Sequence, residues 1–425
     1  MYRKLRPLAY SLLLAALVPS SCKKTDVFDE AIYKKITETS QPVDSVDVAH
    51  TWKLSSSYYM TAEIPATATA ARELQILSAN PADGAPATIL GEYPVSAGEK
   101  KYFAFTAPST MQRFYAALVD DNGAYTVIGF DASQRSINFL QPLATNATVN
   151  KRQLSLQTYS YCYEDEMPQP GDYDYNDLVL RISLQRTGAS QLTLNVTVAA
   201  VGSIMQVAAA MRLLNYKPSD IESITTVGGE DFNRGYKKAA VPYIDSNDLL
   251  MTGTDSAAVI NLFEDAHWAT GAAAYASEGY LLRSKYNVSK TTDDKHDMVS
   301  PRTISFVINF KSSVQPDYFT MDQLDPFAII RYSGALREIH AVHKYRSDMV
   351  LYEYRQPDNP AILPWALMVP DGAFRYPLDG VHIGYAKGEA LFGAYMTQHH
   401  AFGEWAADRL SSTDWYNYPT SNQVY

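Results

Sequence analysis

Short apolar runs with turn residues between them dominate the first part of the chain. YYMTAEIP (58–65), RELQILSA (72–79), KYFAFTAP (101–108), RFYAALVD (113–120) and YTVIGF (125–130) are rich in aromatic and β-branched residues. Asn80-Pro81, Asp83-Gly84, Ala97-Gly98 and Asp121-Asn122-Gly123 punctuate them. Strands at this spacing with turn chemistry between them predict an antiparallel sandwich over residues 51–150. Further along, LVLRISLQ (178–185) and QLTLNVTVAAV (191–201) predict a hairpin turning around Thr187-Gly188-Ala189. Strands are expected again at TISFVINF (303–310), FAIIRY (327–332) and DMVLYEYR (348–355). Residues 204–213 and 256–267 are read as short helices in a looser, more polar stretch. The 388–410 segment has helical spacing, with Leu391, Phe392, Tyr395, Phe402 and Trp405 on its apolar side. The expected fold is mainly β: two antiparallel, jelly-roll-like sandwich domains with a few short helices.

The chain begins differently. Arg3, Lys4 and Arg6 precede an apolar run from Leu8 to Val18, and Ser20-Ser21 lead into Cys22. That is the layout of a secretory signal, about half the ~20 residues that a permanent span needs. A cysteine at the cleavage point predicts a lipoprotein signal over residues 1–21, with Cys22 taking the lipid that anchors the protein to a membrane. Pro19, where a leucine is usual, keeps an ordinary signal peptide as the alternative. Residues 22–50 are polar and aperiodic and read as a tether, followed by the domains 51–150 and 151–425.

Composition narrows the picture. A hydrophobic share of 46% with 19% charged residues belongs to a globular chain rather than a disordered one. The net charge of −10 argues against nucleic acid as a partner, since that needs clustered Lys and Arg. Of the two cysteines, lipidation of Cys22 leaves Cys162 alone, so an internal disulfide is excluded and the core must supply stability. The 31 tyrosines suit wet binding faces for a glycan or protein ligand; they are equally good strand formers, and that plainer reading weighs more.

The most informative string runs from Glu164 through Asp165, Asp172, Asp174 and Asn176 to Asp177. In an extended backbone Asp172, Asp174 and Asn176 project to one face, with Tyr173, Tyr175 and Asp177 on the other. Oxygens gathered this way repel one another unless a cation or hydrogen-bond donors lie between them. Calcium, with six to eight oxygen ligands in flexible geometry, is the expected cofactor, and Glu164 and Asp165 would close its shell across the Pro168–Gly171 turn. An EF-hand is excluded, because its glycine and terminal glutamate positions hold Asp177 and Ser183 here. The competing reading is a set of Asx-type turns in which carboxylates accept backbone N–H groups and no ion binds. Both stay open on the sequence.

EDEMPQPGDYDYNDLVLRI (164–182) resembles the hallmark of the LruC-domain lipoproteins of Bacteroidota. Arg337-Glu338-Ile339-His340, Pro364-Trp365-Ala366-Leu367, Phe374-Arg375-Tyr376-Pro377, Phe402-Gly403-Glu404-Trp405-Ala406 and Asp414-Trp415-Tyr416 resemble that family's further segments, in family order over roughly residues 155–425. Ala341-Val342-His343 departs from the Leu-Pro loop usual there. The resemblance implies an exported, often lipid-anchored protein whose domain has no assigned biochemical activity.

No positive case for catalysis emerges. His340-x-x-His343 and His399-His400 invite a zinc reading, but no HExxH helix accompanies them, and they read as surface or loop histidines. No G-x-S-x-G elbow is present, Cys162 reads as a buried strand residue, and no pair of carboxylates is marked at glycosidase separation. The expectation is a calcium-stabilised β-sandwich lipoprotein of the cell envelope, on the outer membrane with its inner and its surface face both open, binding a ligand or partner without catalysis. An envelope structural or adhesion component is the alternative, ahead of a carbohydrate-active enzyme.

Overall fold

A computed structural model describes residues 52–139, 147–148, 153–167, 171–228, 243–244, 250–251, 257–270, 284–314, 316–332, 334–341, 353–355, 362–384 and 401–425. The signal segment, Cys22 and the tether lie outside these residues, as do His343, His399 and His400.

The five apolar runs of the first region all become strands: β1 (Ser55–Glu63), β2 (Ala71–Leu77), β4 (Lys100–Pro108), β5 (Arg113–Asp120) and β6 (Ala124–Asp131). The strand β3 (Ala87–Pro94), not expected from the sequence, lies among them, and β7 (Ser136–Asn138), β8 (Ala147–Thr148) and β9 (Leu154–Leu156) follow. They form two sheets, in the orders β4-β1-β7 and β8-β6-β5-β2-β3-β9. Neighbours are antiparallel except β1/β7 and β3/β9, which run parallel. Alternation decides what faces inward. Tyr58, Met60 and Ala62 of β1 meet Leu74, Ile76, Phe103, Phe105, Phe114 and Phe130 in one core. The turn residues act as turn chemistry requires: Gly84, Gly98 and Gly123 all adopt positive φ.

The second region supplies β10 (Thr158–Tyr163), β11 (Leu178–Gly188), β12 (Gln191–Ala200), β13 (Ala208–Leu213), β14 (Ile221–Val227), β15 (Leu250–Met251) and β16 (Ala258–Phe263). After the short parallel pair β17 (Lys285–Tyr286) and β18 (His296–Asp297) come β19 (Arg302–Phe310), β20 (Leu324–Tyr332) and β21 (Ala335–Ile339). The pair β22 (Glu353–Arg355) and β23 (Ile362–Pro364) and then β24 (Ala366–Val369) complete the set. One sheet has the order β14-β19-β12-β11-β10-β24 and the other β15-β16-β13-β20-β21. Leu180, Ile182, Leu194, Val196 and Phe306 of the first pack against Met211, Leu213, Ile260 and Ile330 of the second. Each such side chain contributes about 1.5–3 kcal/mol relative to exposure. The expected hairpin is present, with Ser183 opposite Asn195 and Leu184 opposite Leu194. The architecture is therefore mainly β and sandwich-like.

Two helix expectations are corrected. Residues 208–213 (AAAMRL) form the strand β13, and residues 258–263 (AVINLF) form the strand β16; among the described residues the nearby α-helix is Ala266–Ala269. Alanine favours helix intrinsically, but every residue of β13 is buried. Ala209, Met211 and Leu213 face the main core, and Ala208 and Ala210 pack with Phe327 and Ile329 on the opposite face. A strand covered on both faces shows a continuous apolar run rather than alternation, which periodicity cannot separate from a helix.

A third layer covers the outer face of β10, β11 and β24. Cys162, Val179, Leu367 and Val369 pack there against Phe374, Tyr376, Phe402, Trp405 and Trp415. The helix Phe402–Ala407 belongs to this layer, and so does Trp52 from before the first strand. Burial in this layer pushes the Cys162 thiol far above its usual range. Between the regions, Arg186 of β11 donates from Nε to the Glu92 carbonyl of β3 at 2.7 Å. Among the described residues no helix is long and apolar enough to cross a membrane.

Candidate metal centre

The acidic string does not continue a strand. β10 ends at Tyr163 and β11 begins at Leu178, and the segment between them is irregular. Tyr173 and Tyr175 both sit at φ 53°, the left-handed region, which costs a non-glycine residue roughly 1–2 kcal/mol. The expectation that Asp172, Asp174 and Asn176 share one face of an extended strand is thereby corrected. The left-handed turns bring the N–H groups of Tyr173 and Tyr175 onto one carboxylate, donating to Glu164 Oε2 at 3.1 Å and Oε1 at 2.6 Å. Burial of both tyrosine rings in the third layer, and the bond from Tyr175 Oη to the Pro364 carbonyl at 2.8 Å, offset the backbone cost.

This loop brings Glu164, Asp172 and Asp174 together. One carboxylate oxygen from each lies within 4.8 Å of the others. Two oxygens that share a calcium ion at about 2.4 Å can be no more than about 4.8 Å apart, so the trio fits one cation. Its donors are all carboxylate oxygens, which suits a hard ion such as calcium. Glu164 and Asp174 are buried and Asp172 is exposed, leaving an approach from solvent. Glycine at 171 leaves room for the Glu164 carboxylate: a Cβ there would lie 2.3 Å from Glu164 Oε2 and displace it.

The remaining residues of the string surround the trio. Asp174 accepts from Asn176 N at 3.0 Å and from Gly380 N at 2.8 Å. Asp177 accepts from Asp165 N at 2.8 Å, and Asp165 in turn accepts from the Ser203 hydroxyl. The Asn176 amide donates to the Pro377 carbonyl at 3.1 Å, while its buried Oδ1 has no hydrogen-bond partner among the described residues. Gly202 closes against it; a Cβ there would lie 2.0 Å from that same oxygen. Both features weighed from sequence are thus present: carboxylates bonded to backbone N–H groups, and a convergent carboxylate trio.

The electrostatics favour compensation. Burial, then the charges of Asp174 and Asp172, push the Glu164 carboxyl well above its ordinary value. Burial and then Asp172 push Asp174 up to about 8. Burial raises Asp165 to about 6, against the Ser203 hydrogen bond, which lowers it. Asp177 is raised well above its ordinary value by burial and then by Asp165. Opposing this excess stands Lys285, whose Nζ lies 2.5 Å from Asp379 Oδ1. Burial alone would lower the Lys285 ammonium, yet Asp379, Asp177 and Asp174 hold it raised. His296 joins the edge of the site through Nε2, 2.9 Å from Asp379 Oδ2.

Lys285, His296, Asp379, Gly380, Gly202 and Ser203 were not singled out by the sequence. The one usable signal is the Asp379-Gly380 turn; isolated lysines and serines distant in sequence give none. His340 corrects another expectation. It is not a surface histidine: it is buried, its Nδ1 2.9 Å from Asp325 Oδ2, with its ring stacked on Phe327.

The model of the family described as Domain of unknown function (DUF4842) matches residues 189–416. The chain belongs to this family. The family description assigns no catalytic activity, and its matched segment starts after the acidic string, leaving the loop 164–177 outside it. No curated protein matches the chain. Among solved structures, a chain described as a candidate lipoprotein from Bacteroides ovatus is similar, with 12% identity and a TM-score of 0.49 over 84% of this chain and 99% of that one.

Proposed function

We propose that this member of the DUF4842 family is a lipid-anchored, non-catalytic binding protein of the bacterial cell envelope, its larger sandwich braced by calcium at Glu164, Asp172 and Asp174. The convergence of that trio within 4.8 Å carries the cation part of the reading. Like charges gathered at this separation call for protonation, hydrogen-bond donors or a cation between them, and an exported protein meets calcium at high concentration. Asp165, Asn176 and Asp177 belong to the surrounding shell. The ion would tie the turn between β10 and β11 to the Asp379-Gly380 turn that caps Asp174. Envelope location rests on the signal-like start and on Cys22 as the point of lipid attachment.

Calorimetric titration of calcium into the chelator-treated protein tests the site. One saturable event is expected, abolished in Asp174→Ala, with stabilisation of about 2.7 kcal/mol at a hundredfold excess over Kd. No heat above dilution in the parent chain would refute the site. Anchoring is tested separately: Cys22→Ser is expected to abolish incorporation of labelled palmitate and move the protein from the membrane fraction to the soluble one. Undiminished labelling of that variant would exclude the anchor.

A further inference from the structure

Most tyrosines here serve the core: Tyr125, Tyr159, Tyr161, Tyr163, Tyr173, Tyr175 and Tyr376 are among the largest fully buried side chains. Three do the opposite and gather on one surface. Tyr59 is 59% exposed, Tyr102 52% and Tyr318 45%. Tyr59 and Tyr102 point outward from the paired strands β1 and β4, with Tyr59 opposite Ala104 and Thr61 opposite Tyr102. The two tyrosines are therefore diagonal neighbours on one face, within reach of one another. Tyr318, on the 3-10 turn Pro316–Tyr318, brings its ring centre to 6.3 Å from that of Tyr59. A single exposed tyrosine needs no explanation; three converging from separate segments do.

We propose that this outer face of the β4-β1-β7 sheet is a carbohydrate platform, on which Tyr59, Tyr102 and Tyr318 stack against successive rings of a neutral polysaccharide. The C–H face of a sugar ring is apolar and meets the electron-rich face of an aromatic ring, while hydroxyls at the ring edge bond to polar groups alongside. Thr61 shares this face between the rings, and Ser136 of β7, opposite it, is exposed. The charges at the two ends of the row select the class of ligand. Lys100 pairs with Glu63 at 3.8 Å and lies 5.8 Å from the Tyr102 ring centre. At the other end Lys53 pairs with Asp322 at 2.5 Å. The chain carries a net −10, yet the charges that close the two ends of this row are paired acid to base. An acidic polysaccharide would want surplus base and a basic partner surplus acid; an uncharged glycan wants neither.

The proposal names a ligand class for the binding role given above and rests on that reading for the protein's place outside the cell, but not on the cation. The test is affinity electrophoresis of the detergent-solubilised full chain in gels containing xylan, mannan, amylopectin or mixed-linkage β-glucan, with polygalacturonate as the charged control, each run with calcium and with chelator. At least one neutral polysaccharide is expected to retard the protein equally in both conditions. Tyr59→Ala and Tyr102→Ala should each weaken that retention about tenfold, with unchanged circular dichroism and melting, and Tyr59→Phe should keep it. Retardation by none of the four neutral polymers, or by polygalacturonate alone, would overturn the platform. So would retention that survives both alanine variants, or variants that alter only oligomeric state in sedimentation. Retention in chelator alongside a failed calcium titration would sink the cation while leaving the platform standing.

Discussion

Replacing Asp325 with alanine is expected to destabilise the protein by about 3–5 kcal/mol, the range for removing one partner of a buried ion pair. Asp325 on β20 is fully buried and directly opposite Arg212 on β13, which is 3% exposed. Arg212 Nε and Nη2 each lie 3.0 Å from Asp325 Oδ2, and His340 Nδ1 lies 2.9 Å from the same oxygen. Burial alone would lower the His340 imidazole, but Asp325 and then Glu338 hold it raised. Asp325 therefore balances the Arg212 guanidinium and, together with Glu338, the His340 imidazole. Asp325→Asn, which keeps the shape and one acceptor, should lose less than Asp325→Ala. Urea unfolding followed by circular dichroism reads both; a loss below about 1 kcal/mol for the alanine variant would show that the pair contributes little.

Trp405→Ala is the second large loss expected, also about 3–5 kcal/mol, from the cavity that a buried aromatic leaves. Trp405 is fully buried, with ring centres of Trp52 at 5.1 Å, Trp415 at 5.7 Å and Phe402 at 6.0 Å. The Arg409 guanidinium sits 3.3 Å from the Trp52 ring centre, closing the stack from above. This cluster fastens residue 52 to the 402–415 segment over the back of β10, β11 and β24. Trp405→Phe fills part of the cavity and should recover a good share of the loss. Guanidinium midpoints of the two variants check the order, and equal midpoints for both and the parent would contradict it.

Strands with one wet face were readable in the chain. β12 and β19 alternate buried and partly exposed positions over most of their length, and β11 alternates apolar and polar residues from Leu180 to Gln185, with Gly188 at the turn that joins β11 to β12. β13 and β16 were not, because coverage on both faces removes the alternation and leaves alanine-rich text that suits a helix. The acidic loop shows the same division. Its residues and their need for a cation or hydrogen-bond donors were plain from Glu164 to Asp177, and so was the likeness of the string to a lipoprotein hallmark. Its geometry was not, since period-two acids suggest a strand and nothing in the letters places Tyr173 and Tyr175 at positive φ. Glu164 selects that backbone by accepting both N–H groups. The groups that complete the site, Lys285, Asp379 and Gly380, come from more than a hundred residues further on and are positioned by the sheet and the third layer.

The acids of the loop also set how stability should vary with pH. A carboxyl raised on folding binds its proton more tightly in the folded chain, so its stabilisation is complete below the unfolded value and is lost as pH rises through the folded one. For Asp174 that window runs from 3.8 to about 8, and for Asp165 from 3.8 to about 6. Without a divalent ion the protein should therefore weaken between about pH 5 and about pH 8. Calcium competes with those protons and should restore what is lost at the upper end.

The decisive measurement is the melting temperature at about pH 5 and about pH 8 in millimolar calcium and in excess chelator. The cation-braced site predicts curves that nearly coincide at the lower pH and separate by several degrees at the higher, with the separation erased in Asp174→Ala. Melting that is the same with calcium and with chelator at both values would contradict it and leave the loop held by its backbone N–H groups alone.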